Sequence, residues 1–573
     1  DRIAKLIPMG SQGFPMTIDR ALEMTPELAS LYDSDLETKE VVDAAKKIEG
    51  CARHISVHAA GVVIAPTPLI EWTPLQQDPK GGKVITQYDM YALTDEYGGV
   101  GLMKFDFLGI RNLAILADSV RLVKKFRDLN IDTEKIPIDD KRTYEMLARG
   151  ETMGLFQLGG SGMTRFLKDL KPTSIHDINA MVALYRPGPM EVIPEYIRRK
   201  HNPALVVYPD PRMEKYLKES YGLIVYQDDL LLSTIELAGY SWLQADKFRK
   251  AVGKKIPKEM AAEKDGLIEG IIKHGQTKDF ADKLWKLFEP FAAYGFNKAH
   301  AASYGRVAYQ TAYMKANFPG EYITAILTAE SGDLDTVAEI VAEGKRMDIE
   351  TLPPDINESQ RDFTLIKGEK DRIRFGLGSI KNFGEGIADS IIAERDKNER
   401  FVSLGDFLSR VTNKNLNKKS LEALILSGAM DSFGERNSMF LNIESLLSFH
   451  KEQANQKGQG SLLGLLGDSS PEITLPETPP MKPEEKLEHE KELLGLYVSG
   501  HPLDKYKDKI GPGKTSSIKN IKEEKSEGEP AVVIGLLESL RPVQTKGGES
   551  MAFLKLSDYT GSMEAVVFPR MYA

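Results

Sequence analysis

One cysteine, Cys51, occurs in 573 residues, so no disulfide can close within the chain and a zinc centre built on several thiolates is ruled out. A reducing, cytoplasmic setting fits that scarcity. No apolar run reaches the roughly 18 residues that a membrane span requires, so no membrane partner is expected. The opening "DRIAKLIPMG" has neither an initiator Met nor the charged-then-apolar build of a signal peptide. It looks like a cut inside a longer protein, as does the end, "MEAVVFPRMYA", which stops within a strand-like run. Excess positive charge is missing too. The net charge of -9 gives no blanket attraction to nucleic acid, so any phosphate-binding surface must be regional. The 41% hydrophobic and 28% charged content is ordinary for a globular protein, and the length calls for roughly three to five domains of about 100–200 residues each.

Residues 1 to 50 alternate acidic and apolar residues at helical spacing and predict exposed helices joined by short turns. From 51 to 108 the runs "AAGVVIAP", "KVITQYD" and "GVGLMKFDFLG" are short, β-branched or aromatic, and bounded by Gly, Pro and Asp, which predicts a small sheet. Helical periodicity dominates from 110 to about 345, as in Leu113, Leu116, Val120, Val123 and Phe126, with Lys and Arg in excess between 241 and 320. Such a segment would line any nucleic-acid channel. Compact helical turns fill 370 to 434. Gly, Ser, Pro and Glu then displace the periodicity, which predicts a linker with one apolar island. Alternating strands separated by "KGG" and "YTG" close the chain as the start of a small antiparallel barrel.

Several stretches carry chemistry. "YGLIVYQDDLLLSTIELAGYS" contains a Tyr-x-Asp-Asp pattern, which raises the possibility that Asp228 and Asp229 hold magnesium on a reverse-transcriptase-like hairpin. The residues that follow lack an early Gly, Pro or Asn, so a helix with the pair in its first turn, at the positive end of the dipole, is the better reading. In "GLMKFDFLGI" strand alternation puts Met103, Phe105 and Phe107 on one face and Lys104 and Asp106 on the other. That face reads either as a solvated ion pair or as a cation site. In "YGFNKAHAASYGRVAYQTAYMKANFP" helical spacing brings Asn297, His300, Tyr304 and Val307 near one face beside Lys298 and Arg306, a surface suited to a nucleotide's base, sugar and phosphates. "ADKFRKAVGKKIPKE" adds Arg249, Lys250, Lys254 and Lys255 as a solvated run or as phosphate contacts. "LGSIKNFGEGIADSIIAER" fits a helix-hairpin-helix, with Gly384 and Gly386 allowing the turn, Lys381 beside it, and helix-start amides free to meet a DNA phosphate. "LNKKSLEALILSGAMDSFG" is a degenerate second copy or core packing. "QGSLLG" offers Gln459, Leu462 and Leu463 in the spacing of a sliding-clamp ligand.

Taken in order, "HAAGVVIAP", "VITQYD", "KFDFLGIRNL", "ETMGLFQL", "VALYRPGP", "YGLIVYQ", "YGFNKAHAASYGRVAYQTAYMKA", "LPPDIN", "FGLGSIKNFGEG" and "LLGLYVSGHPLDKY" resemble the alpha subunit of bacterial DNA polymerase III, a C-family replicative polymerase, over nearly all of the chain. The resemblance implies a multidomain α+β fold with a partial palm similar to the nucleotidyltransferase fold of polymerase beta. Its parts would be a mostly helical thumb at 1–50, the second part of the palm at 51–110 and mostly helical fingers at 111–355. A helix-hairpin-helix and clamp-binding region would follow at 356–465, then a linker at 466–510 and an incomplete OB-fold at 511–573. Asp106 would be a catalytic aspartate and magnesium ligand, and Lys104 would sit over the triphosphate. Arg249, Lys250, Lys254, Lys255, Asn297, Lys298, His300 and Tyr304 would face the nucleotide. Lys381, Gly384 and Gly386 would meet DNA, and Gln459, Leu462 and Leu463 the sliding clamp. Leu463 stands where such a motif often has Phe, and Gly159-Gly160 where many members carry an acidic residue and a serine.

The implied activity is template-directed DNA synthesis from dNTP with two Mg2+ ions. Primer-template DNA, dNTP and a sliding clamp would be partners, with clamp-loader and proofreading subunits. The family's other two aspartates form an Asp-x-Asp motif ahead of the thumb, so the ligand set is incomplete here and this chain alone is expected to extend no primer. A non-catalytic DNA-binding scaffold tethered to a clamp is the reading from another class.

Overall fold

The computed structural model describes residues 2–8, 16–51, 54–94, 98–254, 257–292, 295–458, 473–511, 514–525, 528–545 and 549–572. The chain divides into two compact units at Ile110/Arg111, where the sequence changes from short strands to long helical periodicity.

The first unit begins with the expected helices, Arg2–Leu6, Ile18–Met24, Pro26–Ser34 and Leu36–Ile48. Asp35 accepts from the Thr38 N–H and starts the last of these, because its carboxylate satisfies an amide that has no partner inside the helix. Two antiparallel pairs follow. Gly61–Ile64 pairs with Met103–Asp106, and Leu75–Gln77 with Val84–Thr86. The first pair aligns Gly61 with Asp106 and Val62 with Phe105, so Lys104 and Asp106 share one face and Met103 and Phe105 the other, as the alternation predicts. The apolar face is exposed: Val62, Ile64, Met103, Phe105 and Phe107 all stand in solvent.

The second unit is mostly helical. In Arg111–Arg127, Leu116 and Val123 are buried while Leu113 is exposed, so the packed stripe is narrower than the periodicity suggests. Ile175–Leu184 is buried over most of its length and lies against Lys298–Asn317, whose small residues permit the approach. A Cβ on Gly305 would stand 1.9 Å from Asn179 Oδ1. Gln227–Ala238, Trp242–Lys254, Pro257–Lys273 and Lys278–Ala292 enclose a separate core of Leu230, Leu237, Phe248, Leu267, Ile271, Trp285 and Phe288. Glu350–Leu352 pairs in parallel with Arg372–Arg374, which pairs antiparallel with Thr364–Ile366. The last sheet is an antiparallel meander of Leu536–Gln544, Ser550–Asp558 and Gly561–Val567.

The expected linker at 466–510 needs correction over its described part. Pro483–Leu494 is a helix with Leu487, Leu493 and Leu494 buried. Its Glu490, 1% exposed, meets Arg436 at 3.0 Å and accepts the Val498 and Ser499 N–H groups at 2.9 Å. Charged residues hide this helix in the sequence because one of its anchors is itself an ion pair.

A buried carboxylate ties the second unit together. Asp177, fully buried at the third position of its helix, accepts from Ser174 N–H at 3.2 Å, Tyr196 OH at 3.2 Å, Tyr221 OH at 3.1 Å and Lys200 Nζ at 2.8 Å. Removing its charge strands the Lys200 ammonium, which is 7% exposed. Asp177→Asn is therefore expected to cost about 3–5 kcal/mol, the usual cost of breaking one side of a buried pair. Denaturant unfolding of the intact chain checks this, and an unchanged midpoint would remove Asp177 from that role.

Candidate functional site

In the first unit the chemistry gathers on the Lys104/Asp106 face. Lys104 Nζ lies 2.6 Å from Asp106 Oδ1, and the hydrogen bond from Lys104 holds the Asp106 carboxyl below the usual range, so it is ionised at neutral pH. Asp106 is half exposed. His58 stands 3.8 Å from the same oxygen. Its Nδ1 accepts from the Ala60 N–H at 3.2 Å, which makes the ring an electrostatic neighbour of Asp106 rather than a donor to it. Gly61 permits this, because a Cβ there would come within 3.0 Å of His58 Nδ1. Asp106 offers the hard oxygen that a divalent cation prefers. Among the described residues no group of three or more His, Cys, Asp or Glu side chains comes together around a metal position.

The second unit builds a larger cluster where two helix starts converge. Tyr226 bridges Phe296 in an isolated β-bridge, Gln227 N–H donates to Phe296 C=O at 2.9 Å, and the helix Gln227–Ala238 begins at once. Asp229, at its third position, turns back and accepts the Val225 and Tyr226 N–H groups at 2.9 and 2.8 Å. Asp228 points elsewhere and accepts the Lys298 N–H at 3.0 Å, so it caps the neighbouring helix Lys298–Asn317. Asn297 Oδ1 caps that helix as well, accepting from His300 N–H at 2.8 Å. Each of these groups satisfies an amide that a helix leaves unpaired. The Asp-Asp pair is therefore a double cap in a strand-to-helix junction and forms no hairpin, as the run of residues after it predicts.

Rings stack outward from this junction. His300 lies 4.2 Å from Tyr304 and 5.1 Å from Phe296 between ring centroids, and Tyr304 lies 5.1 Å from Phe156. The Arg186 guanidinium sits 4.2 Å over Phe296, and burial lowers its pKa. A cation held over a ring face recovers part of the lost hydration. Lys298 Nζ meets Glu219 Oε2 at 3.1 Å, which His176 Nδ1 also approaches at 3.4 Å. His300 and Tyr304 share a ring stack, whereas Lys298 turns to Glu219 and the Tyr226 ring and Asn297 is occupied as a cap.

Arg249 and Lys250 are committed elsewhere. Arg249 Nη2 lies 2.8 Å and Lys250 Nζ 2.9 Å from Asp246, whose carboxyl their hydrogen bonds hold low. An aspartate one turn earlier pairs with both and leaves the run a net positive charge, a partnership that the spacing allows and the expectation of open phosphate contacts overlooked. Lys254 ends its helix, with its side chain outside the described residues, as is the whole of Lys255. Gln459, Leu462 and Leu463 also lie outside them.

The helix-hairpin-helix is present with a different turn. Ile380, Phe383, Ile387 and Ala388 are buried, whereas Lys381, Gly384 and Gly386 are exposed. The left-handed residue is Asn382, with φ 68°, while Gly384 has φ -83° and caps the helix Glu385–Asn398. The glycines leave open surface instead, since a Cβ on either would meet nothing within 4 Å. The stretch read as a degenerate second copy or as core packing adjoins it. The helix Lys418–Leu426, capped by Asn417, helps line one pocket of about 240 Å3 with Asn382, Gly384, Gly386, Asn415 and Lys419.

Three family models match the chain. Residues 1–109 match the Bacterial DNA polymerase III alpha NTPase domain, 112–275 the Bacterial DNA polymerase III alpha subunit finger domain, and 348–439 a Helix-hairpin-helix motif. Over 100% of its length the chain is 42% identical to DNA polymerase III subunit alpha of Thermus aquaticus, covering 47% of that relative, and 38% identical to the Bacillus subtilis subunit of the same name, covering 50%. The chain belongs to the bacterial DNA polymerase III alpha subunit family. It spans about half the length of the curated relatives it matches. The first two models meet where the chain divides into its two units. No helix among the described residues is long and apolar enough to cross a membrane.

Sequence reasoning missed His58, His176, Arg186, Glu219 and Phe296 as members of these clusters. "HAAGVVIAP", "YRPGP" and "YGF" were legible only as family runs, and Glu219 has no local signal because its partners lie 79 and 43 residues away in the chain.

Asp229 makes the junction sensitive to pH. Burial raises its carboxyl from 3.8 to about 6. Between those values the native chain holds a proton that the unfolded chain has released, so stability is greatest below the lower value and is lost as pH rises to the upper. About two units correspond to about 3 kcal/mol. Relative to Asp229→Asn, the native chain is expected to gain about 2–3 kcal/mol between pH 7 and pH 4. Parallel stability curves for the two proteins would contradict the buried-proton assignment.

Proposed function

We propose that the full-length parent of this chain is the catalytic subunit of a bacterial replicase, joining deoxynucleoside monophosphates from dNTP to a primer 3′ hydroxyl under direction of a template. The observation that carries this reading is Asp106: an ionised, half-exposed carboxylate beside Lys104 on a strand of the unit that matches the family's NTPase model. In such a reaction two divalent cations, Mg2+ in this reading, stabilise the attacking and leaving oxygens of an in-line displacement. Asp106 would hold one of them through oxygen. Lys104, once released from Asp106, neutralises triphosphate charge. In the fingers, Lys298 takes phosphate, and the His300–Tyr304–Phe156 stack offers a ring surface to the nucleotide.

The paired hairpins support a second role, holding duplex DNA by its backbone without reading sequence. Open glycines and helix-start amides around one pocket suit a phosphate, and Lys381 adds charge. The thumb, palm, fingers and OB-fold assignments follow the family resemblance. Gln459, Leu462 and Leu463 give the parent a tether to a sliding clamp.

Primer extension by the full-length parent tests the catalytic reading. Asp106→Asn is expected to reduce it by about a thousandfold or more, since the electrostatic stabilisation of the transition state is lost. Asp228→Asn, which keeps a capping oxygen, should retain activity within about tenfold. The reverse pattern would move catalysis to the Asp-Asp pair. For the hairpins, Gly386→Val should leave unfolding unchanged, because its Cβ enters open space, yet weaken duplex binding, and Lys381→Ala should lower the salt slope of binding by about one. Binding that survives both changes would exclude this surface as the DNA contact.

A further inference from the structure

Glu219 has no part in the reading above, yet it occupies the ammonium on which that reading depends. Its carboxylate is 3.1 Å from Lys298 Nζ and 3.4 Å from His176 Nδ1, and all three side chains are partly exposed. The backbone that carries the carboxylate is constrained. It sits in a single 3-10 turn, Lys218–Ser220, that ends in Tyr221 with φ 52°, a left-handed conformation that tolerates few side chains. Tyr221 in turn is pinned through its hydroxyl to buried Asp177. Lys298 is fixed at its backbone by Asp228, and its Nζ lies 5.6 Å over the Tyr226 ring. Only the end of the lysine is free to change partners.

We propose that Glu219 is a positioning residue that stands in for the triphosphate: it holds the Lys298 ammonium when no nucleotide is bound and yields it to phosphate when one is. This rests on the reading of Lys298 as a phosphate contact. An exposed ammonium–carboxylate pair is weak, and a polyanionic phosphate outcompetes a single carboxylate for the same cation. The displaced carboxylate is partly exposed, so solvent takes up its charge and the exchange leaves no buried ion. The contact also sets a threshold, because every nucleotide must break it before it can reach the ammonium.

Steady-state incorporation by the full-length parent distinguishes the possibilities. Glu219→Gln is expected to lower KM for dNTP by about three- to tenfold, the size of one removed surface charge contact, with kcat within about twofold. Lys298→Gln should raise KM, and the double variant should match Lys298→Gln alone, because Glu219 acts only through the lysine. If Lys298→Gln leaves KM unchanged, the phosphate role of Lys298 fails. If it raises KM while Glu219→Gln leaves it unchanged, or lowers it equally in the absence of the lysine, the stand-in role fails by itself. Thermal unfolding of Glu219→Gln close to that of the native chain shows that the variant is folded.

Discussion

A carboxylate with no exposed surface is tolerated only when its charge is answered, and Asp177 is answered from four directions. The chain amides before its helix, two tyrosine hydroxyls and a lysine converge on it, from elements separated by 19 to 44 residues. Such a site fixes relative positions more firmly than apolar packing, since a shift of one ångström leaves a donor or an acceptor unpaired in a low dielectric. Tyr221 transmits that constraint to the loop before Gln227–Ala238. Through this loop it sets the height of Glu219 against Lys298, so the geometry of the exposed cluster follows from a charge that solvent never meets.

The helix starts complete the scheme. Asp228 and Asn297 spend their oxygens on amides at the start of one helix and Asp229 on the chain just before the other, which fixes the register between the Tyr226–Phe296 bridge and the His300–Tyr304 face. A residue pattern that looks catalytic thereby does architectural work at two helix starts. The cost appears at Asp229, whose burial is only partly offset by two amide donors, leaving a carboxyl that titrates near 6.

Much of this was legible beforehand, because periodicity reports local structure. The strand containing Asp106, the helix beginning at Lys298 and the buried hairpin residues Ile380 and Phe383 all occur where alternation or helical spacing puts them. What local pattern cannot carry is partnership over distance. Asp246 pairs with both Arg249 and Lys250, and Glu490 buries itself against Arg436, because tertiary context chooses among several permitted ion pairs. The helix Pro483–Leu494 looks like linker in the sequence for the same reason: its composition is that of a solvated segment, and its burial depends on partners elsewhere in the chain. The left-handed turn residue in the hairpin was assigned to glycine on propensity, yet Asn382 takes it, a residue that also tolerates that conformation.

A common feature links the separate clusters. Lys104 is paired with Asp106 and Lys298 with Glu219, while Arg249 and Lys250 share Asp246, so each of these cations has a carboxylate partner within the chain. Attraction between exposed charges is short-ranged at physiological salt, and a pair presents little net field a Debye length away. Each pair must open before its cation can turn to another anion, so a single stray anion gains one contact only by displacing another.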